Sequence, residues 1–232
     1  MKHSSSRIHT AVSLVLLLPV AAWSGALVVN FDDIAGVPAF GNPIAVRATF
    51  VSLGIDATYS GFAWPSVSPT QFWGVVNNSD FAFQSVGAYS GIQAGWNWGG
   101  ALNQEILFPS PYTVEGAFFN AFQAGQAFTA DTVQFCGFDA SGNLIGVSEV
   151  LRLDKTGAHP EWQWLAFGAS GITRLDISAT QTSDVTPELG LWTIDDLTVR
   201  ADVSTVPEPG TISYAFVIAG LVILRKLLFG AS

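Results

Sequence analysis

Residues 27–206 contain no stretch in which helix-forming residues recur at the helical period, and this absence limits the possible folds more than any other feature. Short runs rich in Val, Ile, Phe, Thr and Trp alternate there with clusters of Gly, Pro, Asn and Ser. Runs of that composition are typical of β-strands, and the clusters are typical of turns. The pattern predicts one antiparallel all-β domain over residues 27–200.

Two parts of this body show the strand pattern clearly. In Thr173–Ile177 inward and outward side chains alternate, as in a sheet with one buried face. Thr132–Phe138 and Leu144–Leu153 flank the turn-forming residues Asp139–Asn143, which predicts a β-hairpin. Because the strands are many, short and irregularly spaced, they favour a two-sheet antiparallel sandwich, with a jelly roll preferred over a closed barrel.

The N-terminus has the three-part layout of a secretory signal peptide. Lys2 and Arg7 precede the apolar stretch Ala11–Ala22, and Ala26 is among the small residues that follow. We therefore expect residues 1–26 to be a signal peptide and the rest of the chain to be exported. An N-terminal membrane anchor is the alternative, but the apolar stretch is short for a membrane span.

The C-terminus carries a second apolar segment, Thr211–Phe229, which is interrupted by Arg225 and Lys226. A helix over these residues would be about 28 Å long at ~1.5 Å per residue, close to the ~30 Å core of a bilayer. The two basic side chains can extend to the interface and would lie on the cytoplasmic side. The segment predicts a single transmembrane helix over residues 211–229, with a buried C-terminal core helix as the alternative.

Directly before this segment, the linker formed by residues 201–210 contains Pro207-Glu208-Pro209. The prolines disfavour helix, so the tripeptide should be extended and accessible at the membrane surface. A signal peptide, a variable body, this tripeptide, one apolar helix and the basic residues Arg225 and Lys226 together resemble the PEP-CTERM family of exosortase substrates. The resemblance implies recognition by an exosortase, transient anchoring in the bacterial inner membrane, and delivery to the cell surface or extracellular matrix.

Four short pieces are spread along the body: Phe31–Asp33, Phe108–Phe119, Val133–Phe138 and Ile194–Leu197. Together they resemble the jelly-roll domains of the same family, which are similar to carbohydrate-binding modules. This second resemblance implies a jelly-roll fold and makes an extracellular polysaccharide a candidate partner.

The body is strongly acidic. Residues 27–206 contain seventeen Asp and Glu residues and five Arg and Lys residues, a net charge of −12. A binder of nucleic acid or of an anionic membrane would carry the opposite sign, so we exclude both as partners of the body. Metal cations suit the charge better.

Near the end of the body, the apolar alternation slips by one residue. Trp192 and Ile194 share one phase, whereas Leu197 and Val199 share the other, and Asp195-Asp196 lies between them. An extra residue in the strand would produce such a slip. The sequence therefore predicts a β-bulge at the two aspartates.

Four aspartates form two pairs at opposite ends of the body: Asp32, Asp33, Asp195 and Asp196. Because the first and last strands of a sandwich commonly lie side by side, the two pairs are expected to converge. Clustered carboxylate oxygens suit Ca²⁺, so a structural calcium site is one prediction. The alternative is that these carboxylates are solvated or bonded to backbone N–H groups.

Tryptophans in Gly- and Ser-rich stretches are candidates for carbohydrate binding: Trp64, Trp73, Trp96 and Trp98. A further pair, Trp162 and Trp164, flanks Gln163. Sugars stack on indole rings beside polar side chains, and binding pockets combine apolar walls with a few polar groups. The alternative is that these rings fill the core of a domain that lacks leucine-rich helices.

Catalytic motifs are scarce in the body, where His159 is the one histidine. Carboxylate pairs for glycoside hydrolysis, such as Glu105 with Glu115 or Glu149, remain a third hypothesis. The leading hypothesis is a non-catalytic surface or matrix protein that is sorted by an exosortase and associated with exopolysaccharide or biofilm. A lectin-like carbohydrate-binding module is the second.

Overall fold

The computed structural model describes residues 25–37, 58–77, 87–121, 129–156, 161–182 and 190–202, which form strands and connections without a helix. There are eleven strands in this part of the chain: β1 (Leu27–Val29), β2 (Thr58–Tyr59), β3 (Phe62–Ala63), β4 (Phe72–Asn77), β5 (Gln93–Trp98), β6 (Asn103–Ala121), β7 (Thr132–Phe138), β8 (Leu144–Val147), β9 (Leu151–Arg152), β10 (Gln163–Thr180) and β11 (Trp192–Ala201). The predicted all-β class is confirmed for these residues.

Several sequence predictions lie outside the described residues. These are residues 1–24 of the predicted signal peptide, most of the linker, the sorting residues Pro207, Glu208, Pro209, Arg225 and Lys226, and the predicted transmembrane helix over residues 211–229. Within the described ranges, no helix has the length and apolar character needed to cross a bilayer.

All strand pairs are antiparallel and belong to one sheet with the order β4-β5-β11-β6-β10-β7-β8. The short strands extend this path, with β1 on β11, β3 on β6, β2 on β3 and β9 on β7. The sequence predicted two sheets. The described strands are hydrogen-bonded as one because β6 and β10 each run unbroken through both halves of the sheet.

The sheet folds over its own buried face. The β6–β10 pairing shifts register three times between Ala166 and Arg174, where Gly168 and Gly171 have positive φ values of 68° and 78°. Beyond these irregularities, side chains from distant strands meet. The Trp73 indole N–H on β4 donates a 2.9 Å hydrogen bond to the carbonyl of Glu105 at the start of β6. Buried side chains from these strands form one main hydrophobic core.

Large aromatic residues fill this core. Trp64, Trp73 and Trp192 are at most 1% exposed, and Phe119 packs with its ring centre 5.4 Å from that of Phe135 on β7. Each buried indole removes ~200 Å² from water, which contributes about 5 kcal/mol as an upper bound. Burial on this scale can stabilise a domain whose lone cysteine, Cys136, is free.

The predicted hairpin is confirmed. Strand β7 pairs with β8 and then with β9. Asp139 organises the turn between β7 and β8, because its carboxylate accepts hydrogen bonds from the backbone N–H groups of Ser141 at 2.8 Å and Asn143 at 2.9 Å. Gly142 adopts a φ of 80°, which glycine tolerates without steric cost.

The predicted bulge in the last strand is also confirmed. The register between β11 and β6 shifts between Asp195 and Thr198, and Asp196 has a φ of 48°. This left-handed residue resets the alternation, so Ile194 and Leu197 can both be buried. Strand β1 pairs with the C-terminal half of β11, as expected for first and last strands.

Candidate functional site

Three aspartates, one shortly after β1 and two in β11, make hydrogen bonds to one short segment, residues 90–93. Asp32 Oδ1 accepts hydrogen bonds from the backbone N–H groups of Ile92 at 2.8 Å and Gln93 at 3.0 Å. Asp195 Oδ2 accepts one from the Ser90 N–H at 2.9 Å, and Asp196 Oδ1 accepts one from the Ser90 hydroxyl at 2.7 Å. Asp32 of the first pair and both members of the second pair therefore contact the same segment, whereas Asp33 contacts Tyr59.

The contacts of these aspartates favour the second alternative that the sequence left open. Asp32 and Asp195 direct their oxygens at backbone N–H groups, while Asp33 accepts a hydrogen bond from the Tyr59 hydroxyl. Calcium requires 6–8 oxygen ligands. In the part of the chain that the structure describes, no three Asp, Glu, His or Cys residues are grouped so as to hold a metal ion. Calcium binding by these four aspartates stays a prediction to be tested.

Asp195 is fully buried, with no exposed surface. Burial raises the pKa of its carboxyl to about 7, an effect that the N–H groups of Ser90 and Asp196 partly oppose. The carboxyl therefore titrates near neutral pH at the point where β11 holds residues 90–93.

The four tryptophans predicted to bind carbohydrate do not form a surface. Trp64 and Trp73 are each 1% exposed and belong to the core, so neither can present a ring face to a ligand in solution. Trp96 is also buried, and Trp98 is half-buried against Phe72. For Trp64, Trp73 and Trp96 the structure corrects the binding prediction, since all three rings are packed inside the domain.

A different set of rings reaches solvent on one face of the sheet: Tyr89, Phe118, Trp162 and Trp164. We call this set the aromatic platform. The Tyr89 and Phe118 rings stack with their centres 3.5 Å apart and an angle of 16°, and Trp164 meets Phe118 edge-on at 4.9 Å. Trp164 is 40% exposed and Tyr89 is 47% exposed, so ring surface is open to a ligand.

Strand register explains why these rings meet. Trp164 on β10 lies opposite Phe118 on β6, and Phe118 lies opposite Asp195 on β11. The three side chains thus form one row on one face of three neighbouring strands. Beside this row, a Cβ atom on Gly116 would approach the Trp164 ring to 2.5 Å, so the missing side chain makes room for the indole.

Asp195 and Asp196 also position Tyr89, the ring that stacks on Phe118. Both carboxylates hold Ser90, the residue directly after Tyr89. Fixing the backbone at Ser90 keeps the Tyr89 ring against Phe118. The acidic pair that the sequence selected for calcium therefore supports the aromatic platform.

Sequence reasoning noticed Trp162 and Trp164 but missed Tyr89 and Phe118. One signal was available for Phe118. It is followed by Phe119 within a strand, and adjacent side chains in a strand point to opposite faces. One of the two rings therefore had to leave the core. No comparable signal exists for Tyr89, which precedes a strand.

No family model and no curated protein matches the sequence. Among solved structures, a DUF4465 family protein from Bacteroides caccae is similar at 14% identity and a TM-score of 0.48, covering 77% of this chain and 100% of its own. The cleaved adhesin domain of Lys-gingipain from Porphyromonas gingivalis has 12% identity and a TM-score of 0.44, covering 77% of this chain and 99% of its own.

A third similar structure is the CBM22-1 xylan-binding domain from Paenibacillus barcinonensis, with 10% identity and a TM-score of 0.36. That match covers 63% of this chain and 89% of the xylan-binding domain. All three TM-scores lie below 0.5.

Proposed function

We propose that this chain is an exported, non-catalytic surface or matrix protein whose β-domain binds a polysaccharide through the aromatic platform. The observation that carries the proposal is the row of contiguous rings on one sheet face, in which Trp164 and Tyr89 remain 40% and 47% exposed. Contiguous apolar rings open to water are typical of binding surfaces. We interpret the folded sheet as the sandwich, with jelly-roll connections, that the sequence predicts.

The platform has the chemistry that saccharides require. The C–H faces of sugar rings pack on aromatic faces, and the polar edge of an indole can hydrogen-bond to hydroxyl groups. Stacking among Tyr89, Phe118 and Trp164 fixes the rings before a ligand arrives, so little side-chain entropy is lost on binding. A flat, partly exposed row suits an extended glycan chain.

Replacing Trp164 tests the proposal. We expect Trp164→Ala to weaken binding of the best ligand among soluble xylan, galactan and β-glucan by about 30-fold, which corresponds to ~2 kcal/mol for an aromatic anchor. Isothermal titration calorimetry measures the affinity. The matched control is Leu144→Ala, because Leu144 is also apolar and exposed but lies on β8. Equal affinities of the Trp164 variant and the wild type would contradict the proposal.

Sorting by an exosortase is supported by the sequence resemblance at residues 207–209, 225 and 226. In this proposal the exosortase and the inner membrane are transient partners, and exopolysaccharide or biofilm matrix is the final environment. The acidic charge of the body agrees with an extracellular role that involves no nucleic acid.

The glycosidase hypothesis receives little support from the carboxylates that suggested it. Glu115 forms an ion pair with Arg200, and Glu149 is exposed between β8 and β9. Glu105 and Glu115 lie ten positions apart on β6 and face different partners, Asp176 on β10 and Arg200 on β11. We expect no release of reducing ends from the glycans that the protein binds.

A further inference from the structure

One ion pair lies on the same face of the sheet as the aromatic platform. Val199 on β11 and Phe119 on β6 have no exposed surface and belong to the core. Because neighbouring side chains in a strand point to opposite faces, Arg200 and Phe118 both point away from that core. The Arg200 guanidinium forms an ion pair with the carboxylate of Glu115 on β6. The pair and the platform therefore share the outer face of these strands.

An irregularity in β6 brings this ion pair next to the platform. The pairing of β6 with β11 shifts between Val114 and Gly116, which makes Glu115 an extra residue of β6. The Trp164 indole lies over Gly116, the residue directly after Glu115. A ligand that stacks on Trp164 therefore has the ion pair as its neighbour.

The ion pair is open to an approaching ligand. The side chain of Arg200 is 51% exposed and that of Glu115 is 35% exposed. A pair this exposed contributes little to the stability of the fold. It does change the charge that a ligand meets, because a guanidinium alone would attract anions, whereas the pair is neutral.

The other basic side chains of the described ranges lie elsewhere. Lys155 and Arg174 form ion pairs of their own. Arg152 lies on β9, which is hydrogen-bonded to β7 and to no strand of the platform among the described residues. Within the strands β6 and β11, Arg200 is the single basic residue. The charge of the platform face therefore depends on the partner of this one guanidinium.

Carboxylates outnumber basic groups around the rings. Asp196 lies in the bulge of β11, beside the row of rings. Asp202 accepts a hydrogen bond from the hydroxyl of Thr113, the cross-strand partner of Arg200. Together with Glu115 these residues place three carboxylates against one guanidinium. The surplus of negative charge repels an anionic ligand.

We propose that the aromatic platform selects uncharged glycans and that Glu115 is the residue that determines this specificity. Neutral sugars stack on the rings and need no counter-ion from the protein. A glycan that carries carboxylate groups meets the surplus of negative charge, and Arg200 cannot offset it because Glu115 already neutralises the guanidinium. This inference rests on the proposed function, since it concerns what the platform binds.

Removal of the Glu115 charge should weaken the selection. In Glu115→Gln the guanidinium of Arg200 loses its ionic partner and stays on the outer face, next to the Trp164 ring. A free guanidinium offers parallel N–H donors that match the two oxygens of a carboxylate. The variant should therefore accept a carboxylated glycan that the wild type rejects.

Isothermal titration calorimetry of the full-length protein at neutral pH and low salt tests the selection with two matched polymers. The neutral polymer is whichever of soluble galactan and β-glucan binds the wild type more tightly. Its partner is the same polymer oxidised at C6, where carboxylates replace the primary alcohols. We expect the wild type to bind the neutral polymer about tenfold more tightly than the oxidised one. The ratio should fall in about 0.5 M NaCl, because salt screens the repulsion.

Three variants assign this preference to the ion pair. Glu115→Gln should reduce the ratio of affinities at least about fivefold, through tighter binding of the oxidised polymer. The double variant Glu115→Gln with Arg200→Gln should restore the preference, since it lacks the free guanidinium. Glu149→Gln removes the same charge from an exposed position between β8 and β9 and should keep the wild-type ratio. Circular dichroism checks that each variant is folded.

The outcomes distinguish the specificity proposal from the proposed function. If the wild type binds both polymers equally, or if Glu115→Gln keeps the wild-type ratio, the specificity proposal is wrong. Platform binding still stands in that case, provided that Trp164→Ala weakens both complexes. An equal loss of preference in Glu149→Gln would show that net charge, and not Glu115, determines the selection. If neither polymer binds, or if Trp164→Ala has no effect on either, both proposals fail.

Discussion

Asp195 shows how one buried carboxyl can serve a surface feature. It has no exposed area, yet it lies in the row that contains Phe118 and Trp164. Its oxygens accept hydrogen bonds from the N–H groups of Ser90 and Asp196, which keeps the Tyr89 backbone in place. Removing the Asp195 carboxyl would leave these N–H donors unpaired, and removing the donors would leave the buried carboxyl unpaired.

The raised pKa of Asp195 makes stability depend on pH. The folded pKa of about 7 exceeds the ordinary value of 3.8, so the folded state retains a proton that the unfolded state has released. The contribution of Asp195 is therefore largest below pH 4 and falls until about pH 7, by ~3 kcal/mol between pH 5 and pH 8. Urea unfolding should show this loss in the wild type and a much smaller loss in Asp195→Asn.

The comparison with Asp195→Asn separates this effect from that of other carboxyls, because Asp176, whose pKa burial also raises, is present in both proteins. The pKa values of Asp131, Asp139 and Asp154 are lowered by hydrogen bonds, and for Asp131 also by Lys155, so these groups titrate below the chosen range. The same pH dependence in the wild type and the Asp195 variant would show that burial of this carboxyl has no thermodynamic effect.

Calorimetric melting tests calcium binding at the same residues. Because Asp32 and Asp195 are already bonded to backbone N–H groups, we expect EDTA to leave Tm unchanged and added Ca²⁺ to raise it by less than 1 °C. Mg²⁺ at the same concentration controls for ionic strength. A Tm that falls in EDTA and recovers only with Ca²⁺ would show that these aspartates bind calcium and are not satisfied by backbone N–H groups alone.

At the scale of elements, the segment leading into β5 depends on a glycine. Gly91 has a φ of 57°, and a Cβ atom at this position would lie 1.6 Å from Asp32 Oδ2. The carboxylate that bonds Ile92 and Gln93 occupies the space that a side chain would need. Gly91 therefore leaves room for the Asp32 carboxylate, and that carboxylate in turn holds the backbone of this segment.

Substitution of two glycines separates backbone strain from this contact. Gly142 in the β7–β8 turn also has a positive φ, 80°, but nothing lies within 4 Å of its added Cβ atom. We expect Gly142→Ala to lower the free energy of unfolding by ~1 kcal/mol through strain alone. Gly91→Ala should lower it by about 3 kcal/mol, since the Asp32 hydrogen bonds are lost as well. If both variants lost the same free energy of unfolding in urea, the contact between Gly91 and Asp32 would have no effect on stability.

Individual elements were predictable where a local pattern determines them. The bulge at Asp195 followed from a slip in alternation, and the hairpin around Asp139 followed from turn residues between two apolar runs. The long strands β6 and β10 were not predictable. Pro109 and Pro111 lie inside β6, and Gly168 and Gly171 lie inside β10, where such residues usually end a strand. Here they mark bends, because pairing resumes after each irregularity.

The candidate site was harder to predict than the fold, for a physical reason. Whether a tryptophan faces the core or solvent depends on the layers that form around it, and Trp73 and Trp164 look alike in the sequence. Likewise, Glu105 and Asp176 are far apart in the chain and become neighbours only through the β6–β10 register. Residue type indicated the chemistry, but tertiary pairing determined which residues share a surface.

For the whole molecule, the sorting prediction can be tested in cells. Changing Pro207-Glu208-Pro209 to three alanines should leave the protein in the inner-membrane fraction, because the extended peptide that an exosortase would recognise is lost. Changing Val203, Ser204 and Thr205 to alanine in the same linker is the matched control and should not alter delivery. Fractionation followed by immunoblotting measures the distribution. Normal surface delivery of the first variant would contradict the family resemblance.

The pairing of β1 with β11 would determine the order of events in the export that the sequence predicts. Leu27–Val29 follows the predicted signal peptide directly, and its partner residues are Leu197, Thr198 and Val199, near the end of the domain. A chain that crosses the membrane N-terminus first cannot form this pairing until nearly all of the body has emerged. In an exported chain, the β1–β11 pairing would therefore form last, after nearly all of the body has crossed the membrane.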